Sequence, residues 1–171
     1  CLYIMPMANK DAVVRGKARF NSLGVDLNRK WDKPSDTVNA PENAALERWL
    51  EGMIAAGKKP HLAIDLHNDG EGGLHIGRPN IDLTKYLENM KRLEVLLRKY
   101  TWFTEGSSGS DFRNPGSINE GLLERYGIEG VVYELNYEWI EGLHKAPFGK
   151  DWEQLGQSLG KVFYEYFGEN K

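Results

Sequence analysis

Residues 61–67 read "HLAIDLH", and residues 68–80 continue as "NDGEGGLHIGRPN". The first run is short and apolar and closes on charged and imidazole groups, which predicts a buried strand that delivers His67 to the mouth of a sheet. The second is glycine-rich and predicts a loop. Helical patterns flank both. Upstream, Ala44, Leu46, Trp49, Leu50, Met53 and Ile54 share one face of a helix ending near Gly57. Asn39 and Glu42 predict a capping box at its start, with Pro41 in the first turn. Downstream, Leu83, Leu87, Met90, Leu93, Leu97 and Tyr100 recur every three to four residues in a helix starting near Ile81.

Working outward, "CLYIMPM" (1–7) is apolar and β-compatible and predicts a strand entering a loop. Residues 8–38 hold no sustained period, and a stretch that long without a regular element is usually functional or disordered. "TWFT" (101–104) looks β-like and opens into a loop of Gly, Ser and Asn. "INEGLLERYG" (118–127) predicts a short helix capped by Gly127, "EGVVYEL" (129–135) a strand, and "DWEQLGQSLGKVFYEYF" (151–167) a closing helix. Its Trp152, Leu155, Leu159, Val162, Phe163 and Tyr166 face inward, and the helical aromatics, Trp49 included, are expected in the core. Strands alternating with helices define an α/β layer, in which chemistry gathers on loops at strand ends.

The chain of 171 residues is 40% hydrophobic, enough for a real core, and is expected to form a single domain. With 22 Lys+Arg against 25 Asp+Glu the net charge is −3, which argues for neither a nucleic-acid partner nor an anionic membrane surface. No apolar run approaches the ~20 residues that a membrane-spanning helix needs. Cys1 is the only cysteine, so no internal disulfide forms. A start at "CLYIMPM", with no initiator Met or signal-type leader, predicts an internal cut of something longer.

Three predicted strands lead to polar groups and together make a candidate site: the first feeds the loop holding Arg19, Asn28 and Arg29, the second ends at His67 and the third carries Glu134. A neutral imidazole at the position of His67 can bind a divalent cation, and it can equally be a packed or surface histidine. Glu134 lies in the apolar run "VVYELNY", where a carboxylate is costly unless paired, hydrogen-bonded or protonated; a structural ion pair would also satisfy it. Arg19, Asn28 and Arg29 fall in one short stretch, and arginine offers a planar fork suited to carboxylate, although a solvated loop also explains such charges.

These residues carry a resemblance. "RFNSLGVDLNRKW" (19–31) resembles the Arg-x-Asn-x-x-Gly-x-Asp-Leu-Asn-Arg-x-Trp/Phe signature of the zinc-dependent metallocarboxypeptidases, the M14-type peptidases. "MANKDAVVRG" resembles the family's Asn-Pro-Asp-Gly-Val segment, with Lys10 and Ala12 in place of Pro and Gly. "NAPENAALERWL" resembles its Pro-Glu helix start, "AIDLHN" its strand ending in a zinc histidine, and "GIEGVVYELN" its strand bearing the catalytic glutamate. The resemblance implies a zinc carboxypeptidase-like fold with a mixed central sheet flanked by helices. It implies Zn2+ bound by His67, Glu134 as general base and acid, Arg19 stabilising the oxyanion, and Asn28 and Arg29 gripping the substrate's terminal carboxylate. "PGSIN" (115–119) is similar to the segment lining the pocket for the last side chain, where Ile118 would favour apolar residues and Arg113 acidic ones.

Two features depart from the family. Its other zinc ligands come from a His-x-x-Glu motif, and none of the four histidines here (His61, His67, His75, His144) has Glu three residues later. The expectation is that those ligands lie on a segment outside this chain. Where many relatives carry a capping tyrosine, "SGSDFRNPGS" has Phe112. His75 is expected to be a loop histidine, and Asp65, two residues before His67 and on the same side of its strand, is placed to orient the imidazole. The implied activity is release of residues from the carboxyl end of a peptide or protein. Glutamate-trimming cytosolic carboxypeptidases, cell-wall peptide amidases and a non-catalytic module that binds peptide carboxylates are the alternatives.

Overall fold

A computed structural model describes residues 1–168. At its centre lies a three-stranded sheet in the order β1-β3-β2. Strand β1 (Leu62–Asp69) runs parallel to β3 (Glu129–Asn136), and β2 (Gly73–Ile76) runs antiparallel to it, so the sheet is mixed. The helices are α1 (Lys10–Val14), α2 (Pro41–Ala55), α3 (Thr84–Tyr100), α4 (Ile118–Tyr126) and α5 (Gly149–Gly168).

Side-chain alternation along the strands divides the molecule into layers. Leu74, Ile76, Val131 and Tyr133 face α3 and α5, where they pack with Met90, Leu93, Leu97, Leu155, Val162 and Tyr166. Leu93 and Val162 are fully buried, each removal from water favouring the fold by about 1.5–3 kcal/mol. Ala63 faces the other way and meets Leu50 of α2, Leu122 of α4 and Ile128. That second layer is apolar only near the start of β1; further along, the same face carries Asp65, His67 and Asp69. Tyr86 of α3 reaches β3, its hydroxyl donating to the Gly130 carbonyl at 2.6 Å and accepting the Gly77 N–H at 3.0 Å. Gly127 ends α4 in the left-handed conformation, as its position predicts.

Several local expectations are corrected. Residues 1–7 form no strand: β propensity is realised only on a ladder, and this run is exposed, with the Tyr3 ring 5.3 Å from that of Trp49 in α2. Trp49 is 40% exposed there and outside the core. The capping box does not form, because the N-cap is Ala40, which has no side-chain acceptor, with Pro41 at the first helical position; Asn39, one residue earlier, donates its amide to Asp36 (2.7 Å), and Glu42 accepts from the Asn21 amide. "TWFT" is not a strand: the Thr101 hydroxyl donates to the Leu97 carbonyl and accepts the Phe103 N–H, closing the end of α3. The glycine-rich run is not all loop, since it contains β2, and His75 is a strand residue. Among the described residues no helix is long and apolar enough to cross a membrane.

Candidate active site

Parallel pairing sets His67 directly opposite Glu134, so both side chains leave the same face of the sheet near the ends of their strands. The His67 Nδ1 lies 3.6 Å from the Glu134 Oε1, and Nε2 lies 2.8 Å from the Asp65 Oδ2. A carboxylate accepts only, so the proton of the neutral ring belongs on Nε2, and Nδ1 presents its lone pair toward Glu134. The hydrogen bond that His67 donates to Asp65 holds its pKa above the usual imidazole value, with the charges of Asp65 and Glu134 adding to it against burial and the Arg19 charge. Glu134, with 12% of its side chain exposed, is pushed above the ordinary carboxylate range by burial and by Asp69 and Asp65, while His67 and His75 oppose the shift.

The polar loop comes to the same place. The side-chain amide nitrogen of Asn28 lies 3.5 Å from the His67 Nε2, and its side-chain oxygen Oδ1 accepts the Ile118 N–H at 2.9 Å. Arg19 is held from the side by Asp26, Nε to Oδ2 at 2.6 Å, and the other oxygen of Asp26 accepts the Asn28 N–H. Arg29 donates to the Asn28 carbonyl and lines an open cleft of about 600 Å³, together with Arg113 and Arg78. Ile118 is not among the residues lining that cleft; its side chain packs with Leu50, Leu122 and Ile128 on the second apolar layer. Asn28, His67 and Glu134 are thus brought together, Arg19 and Arg29 flank them, and Arg113 belongs to the adjoining cleft.

Three residues of this region, Asp26, Asp69 and Arg78, carry no role in the sequence reading, and a fourth, His75, is read there as a loop histidine. Asp26 was visible inside the quoted signature yet drew no role. Asp69 follows from the same two-residue alternation that relates Asp65 to His67. His75 had no local signal: its Nδ1 comes within 3.8 Å of the Glu134 Oε1 because β2 pairs with β3, and its ring rests against Phe112 at 4.7 Å. Arg78 follows β2 and likewise depends on that pairing. Ligand atoms of Asp69, His75 and Glu134 lie within 4.8 Å of one another, and with the Nδ1 of His67 the local donors are imidazole nitrogens and carboxylate oxygens. That donor set suits zinc in type.

The chain has the zinc carboxypeptidase-like fold. It superimposes on the metallo-carboxypeptidase of Burkholderia cenocepacia with a TM-score of 0.81 at 17% identity, covering 98% of this chain and 45% of that one. On the Pseudomonas aeruginosa metallo-carboxypeptidase, solved in complex with (2-guanidinoethylmercapto)succinic acid, the TM-score is 0.75 at 20% identity, covering 96% of this chain and 45% of that one. Among curated proteins, cytosolic carboxypeptidase 1 of Danio rerio is 36% identical over 64 residues, 37% of this chain and 6% of that protein. No protein-family model matches. The chain spans less than half the length of these solved structures and a small part of the curated relative.

Proposed function

We propose that this chain supplies the substrate grip and the general base of a zinc-dependent carboxypeptidase-type hydrolase, which in the whole protein releases residues from the carboxyl end of peptides. The observation that carries this reading is the meeting of Asn28, His67 and Glu134 at one end of the sheet. Asn28 and Arg29 bind the terminal carboxylate, the amide and the guanidinium both acting as donors. Arg19, held by Asp26, stabilises negative charge on the carbonyl oxygen of the scissile bond. Glu134 takes a proton from the attacking water and returns it to the leaving amine; its raised pKa brings it closer to the pH at which a carboxyl both accepts and donates. Asp65 fixes the tautomer that leaves the His67 Nδ1 free to coordinate. When bound by that nitrogen and by ligands from outside these residues, zinc supplies Lewis acidity at the scissile carbonyl.

The test is Glu134→Gln in the full-length protein. Turnover is expected to fall at least a hundredfold with zinc content unchanged. Normal turnover would remove Glu134 from the mechanism. Peptide binding without any turnover in the unmutated full-length protein would favour a carboxylate-binding module.

A further inference from the structure

We propose that Asn119 is a positioning residue of the hydrolytic site: its buried amide closes a circuit of contacts that joins the carboxylate grip to the general base. This inference rests on the hydrolase reading above and deepens it by naming a residue that acts on the site from beneath it. From the His67 Nε2 the circuit passes to the side-chain nitrogen of Asn28 at 3.5 Å, and from the Asn28 Oδ1 to the Ile118 N–H at 2.9 Å. Asn119, the next residue, donates its side-chain N–H to the His75 carbonyl on β2 at 3.0 Å. The His75 Nδ1 lies 3.8 Å from the Glu134 Oε1, and that same oxygen lies 3.6 Å from the Nδ1 of His67, where the circuit began.

Asn119 is 1% exposed, and its amide has a fixed sense. The hydroxyl of Ser117, itself fully buried, donates to the Asn119 Oδ1 at 2.6 Å, which turns the nitrogen toward β2. A leucine of similar size would fill the same space, so packing alone does not call for an amide; the His75 carbonyl does. Close backbone approach leaves this turn little room to shift. A Cβ at Gly130 of β3 would stand 2.7 Å from the Asn119 Cα, and one at Gly77, just past β2, would stand 3.4 Å from the Asn119 Nδ2 and 3.1 Å from the Glu120 Cγ. Glu120 accepts the Arg78 N–H at 2.9 Å, a second tie from the same turn to the end of β2. The first turn of α4 therefore rests on both strands at once.

Gly130, Val132 and Glu134 share one face of β3, and His75 pairs with Val132, so the turn sits on the face that carries the base, further back along the strand. Strand β2 is only four residues long, and its place depends on what holds it. Grip and base come from separate segments, and their spacing decides whether a peptide held by its carboxylate presents the scissile bond to Glu134. A displacement on the order of 1 Å can cost about a hundredfold in rate. Loss of the Asn119 amide loosens that spacing yet leaves the Asn28 and Arg29 side chains in place to bind, so kcat carries the effect and KM does not.

The experiment uses the full-length protein and peptides of one sequence that end in Glu, Lys, Phe or Ala, with kcat and KM measured on whichever ending is released fastest. Zinc content and urea midpoint are measured on the same preparations. Asn119→Asp sets an acceptor against the His75 carbonyl, Ser117→Ala frees the amide to turn, and Val162→Ala opens a cavity in the α5 layer, away from the circuit. In Asn119→Asp kcat is expected to fall at least about tenfold, and in Ser117→Ala about threefold, with KM within about twofold and zinc content unchanged. Val162→Ala should lose stability and keep its kcat. Retained kcat in Asn119→Asp and Ser117→Ala, whatever their KM, would overturn the positioning role and leave the hydrolase reading standing. An equal loss of kcat in Val162→Ala, or loss of zinc in step with kcat, would overturn it as well. If the unmutated protein releases none of the four endings, the hydrolase reading falls and this inference with it. Should Asn119→Asp fail to fold, Ser117→Ala against Val162→Ala decides alone.

Discussion

The side-chain oxygen of Asn28 accepts the backbone N–H of Ile118, the first residue of α4, at 2.9 Å across 90 positions of sequence. The N-cap of that helix, Ser117, provides no side-chain cap and turns its hydroxyl to Asn119. Asn28 therefore caps α4 from a distance, and a residue proposed to grip the substrate also holds a structural junction. Asn28→Ala should lower stability by about 1–2 kcal/mol, the usual cost of a lost N-cap, in urea denaturation. Asn28→Asp keeps the acceptor and adds a charge favoured at a helix N-terminus, so its stability should stay near that of the parent. The Asp variant should nevertheless bind a peptide carboxylate more weakly, because a donor amide has become a repelling anion. An Ala variant as stable as the parent would disprove the capping role.

Lys30 adopts φ 66°, an uncommon backbone conformation for a residue with a Cβ. The turn there sends Arg29 and Lys30 to the cleft and Trp31 into the interior, where Trp31 is 2% exposed. The Trp31 N–H donates to the Gly116 carbonyl at 3.0 Å, and its indole N–H donates to the Leu27 carbonyl at 2.8 Å. Burial of the indole offsets the backbone cost, on the order of 1 kcal/mol for a left-handed L-residue. Lys30→Gly should leave stability equal or slightly higher, and Lys30→Val should reduce it by about 1–2 kcal/mol, since a β-branched side chain fits this conformation worst. Equal urea midpoints for the two variants would show that the turn is unstrained.

What could be read in advance follows from how local each signal is. The faces of α3 and α5, the buried runs of β1 and β3 and the stop at Gly127 are written in neighbouring residues. Asp65 could be assigned to the His67 side because a strand repeats every two residues. Strand β2 escaped because Gly73–Ile76 is too short to show a period, and only the register Gly73 to Glu134 makes it a strand and His75 a neighbour of the acid. Asn39 is not the cap because the helix starts one residue later than the pattern suggests, with Ala40 at the N-cap position and the Asn39 amide donating to Asp36. The β-like opening run failed for want of a pairing partner. The convergence of Asn28 with His67 is expected from the gathering of loops at strand ends in an α/β sheet and from the family resemblance, since no local pattern relates residues 39 positions apart.

Arg125 of α4 fastens the gripping loop to the rest of the molecule. It pairs with the buried Glu47 of α2 and donates to the Trp31 and Lys33 carbonyls at 3.1 and 2.9 Å, while Glu47 accepts the Ser35 N–H at 2.8 Å. The side chains are only 16% and 7% exposed, so removing one partner strands the other in a poorly solvated place. Glu47→Ala and Arg125→Ala should each cost about 3–5 kcal/mol. The double variant should be less destabilised than the sum of the two by about 1–3 kcal/mol, because each single change already forfeits the shared interaction. Packing adds a second fastening: a Cβ at Gly121 would stand 2.5 Å from the Trp31 Cβ, so α4 and the loop approach as closely as glycine permits. A double-mutant cycle read by urea denaturation separates the ion pair from this packing. Additive losses would mean that Arg125 serves the loop through its two carbonyl contacts and that its pairing with Glu47 contributes nothing of its own.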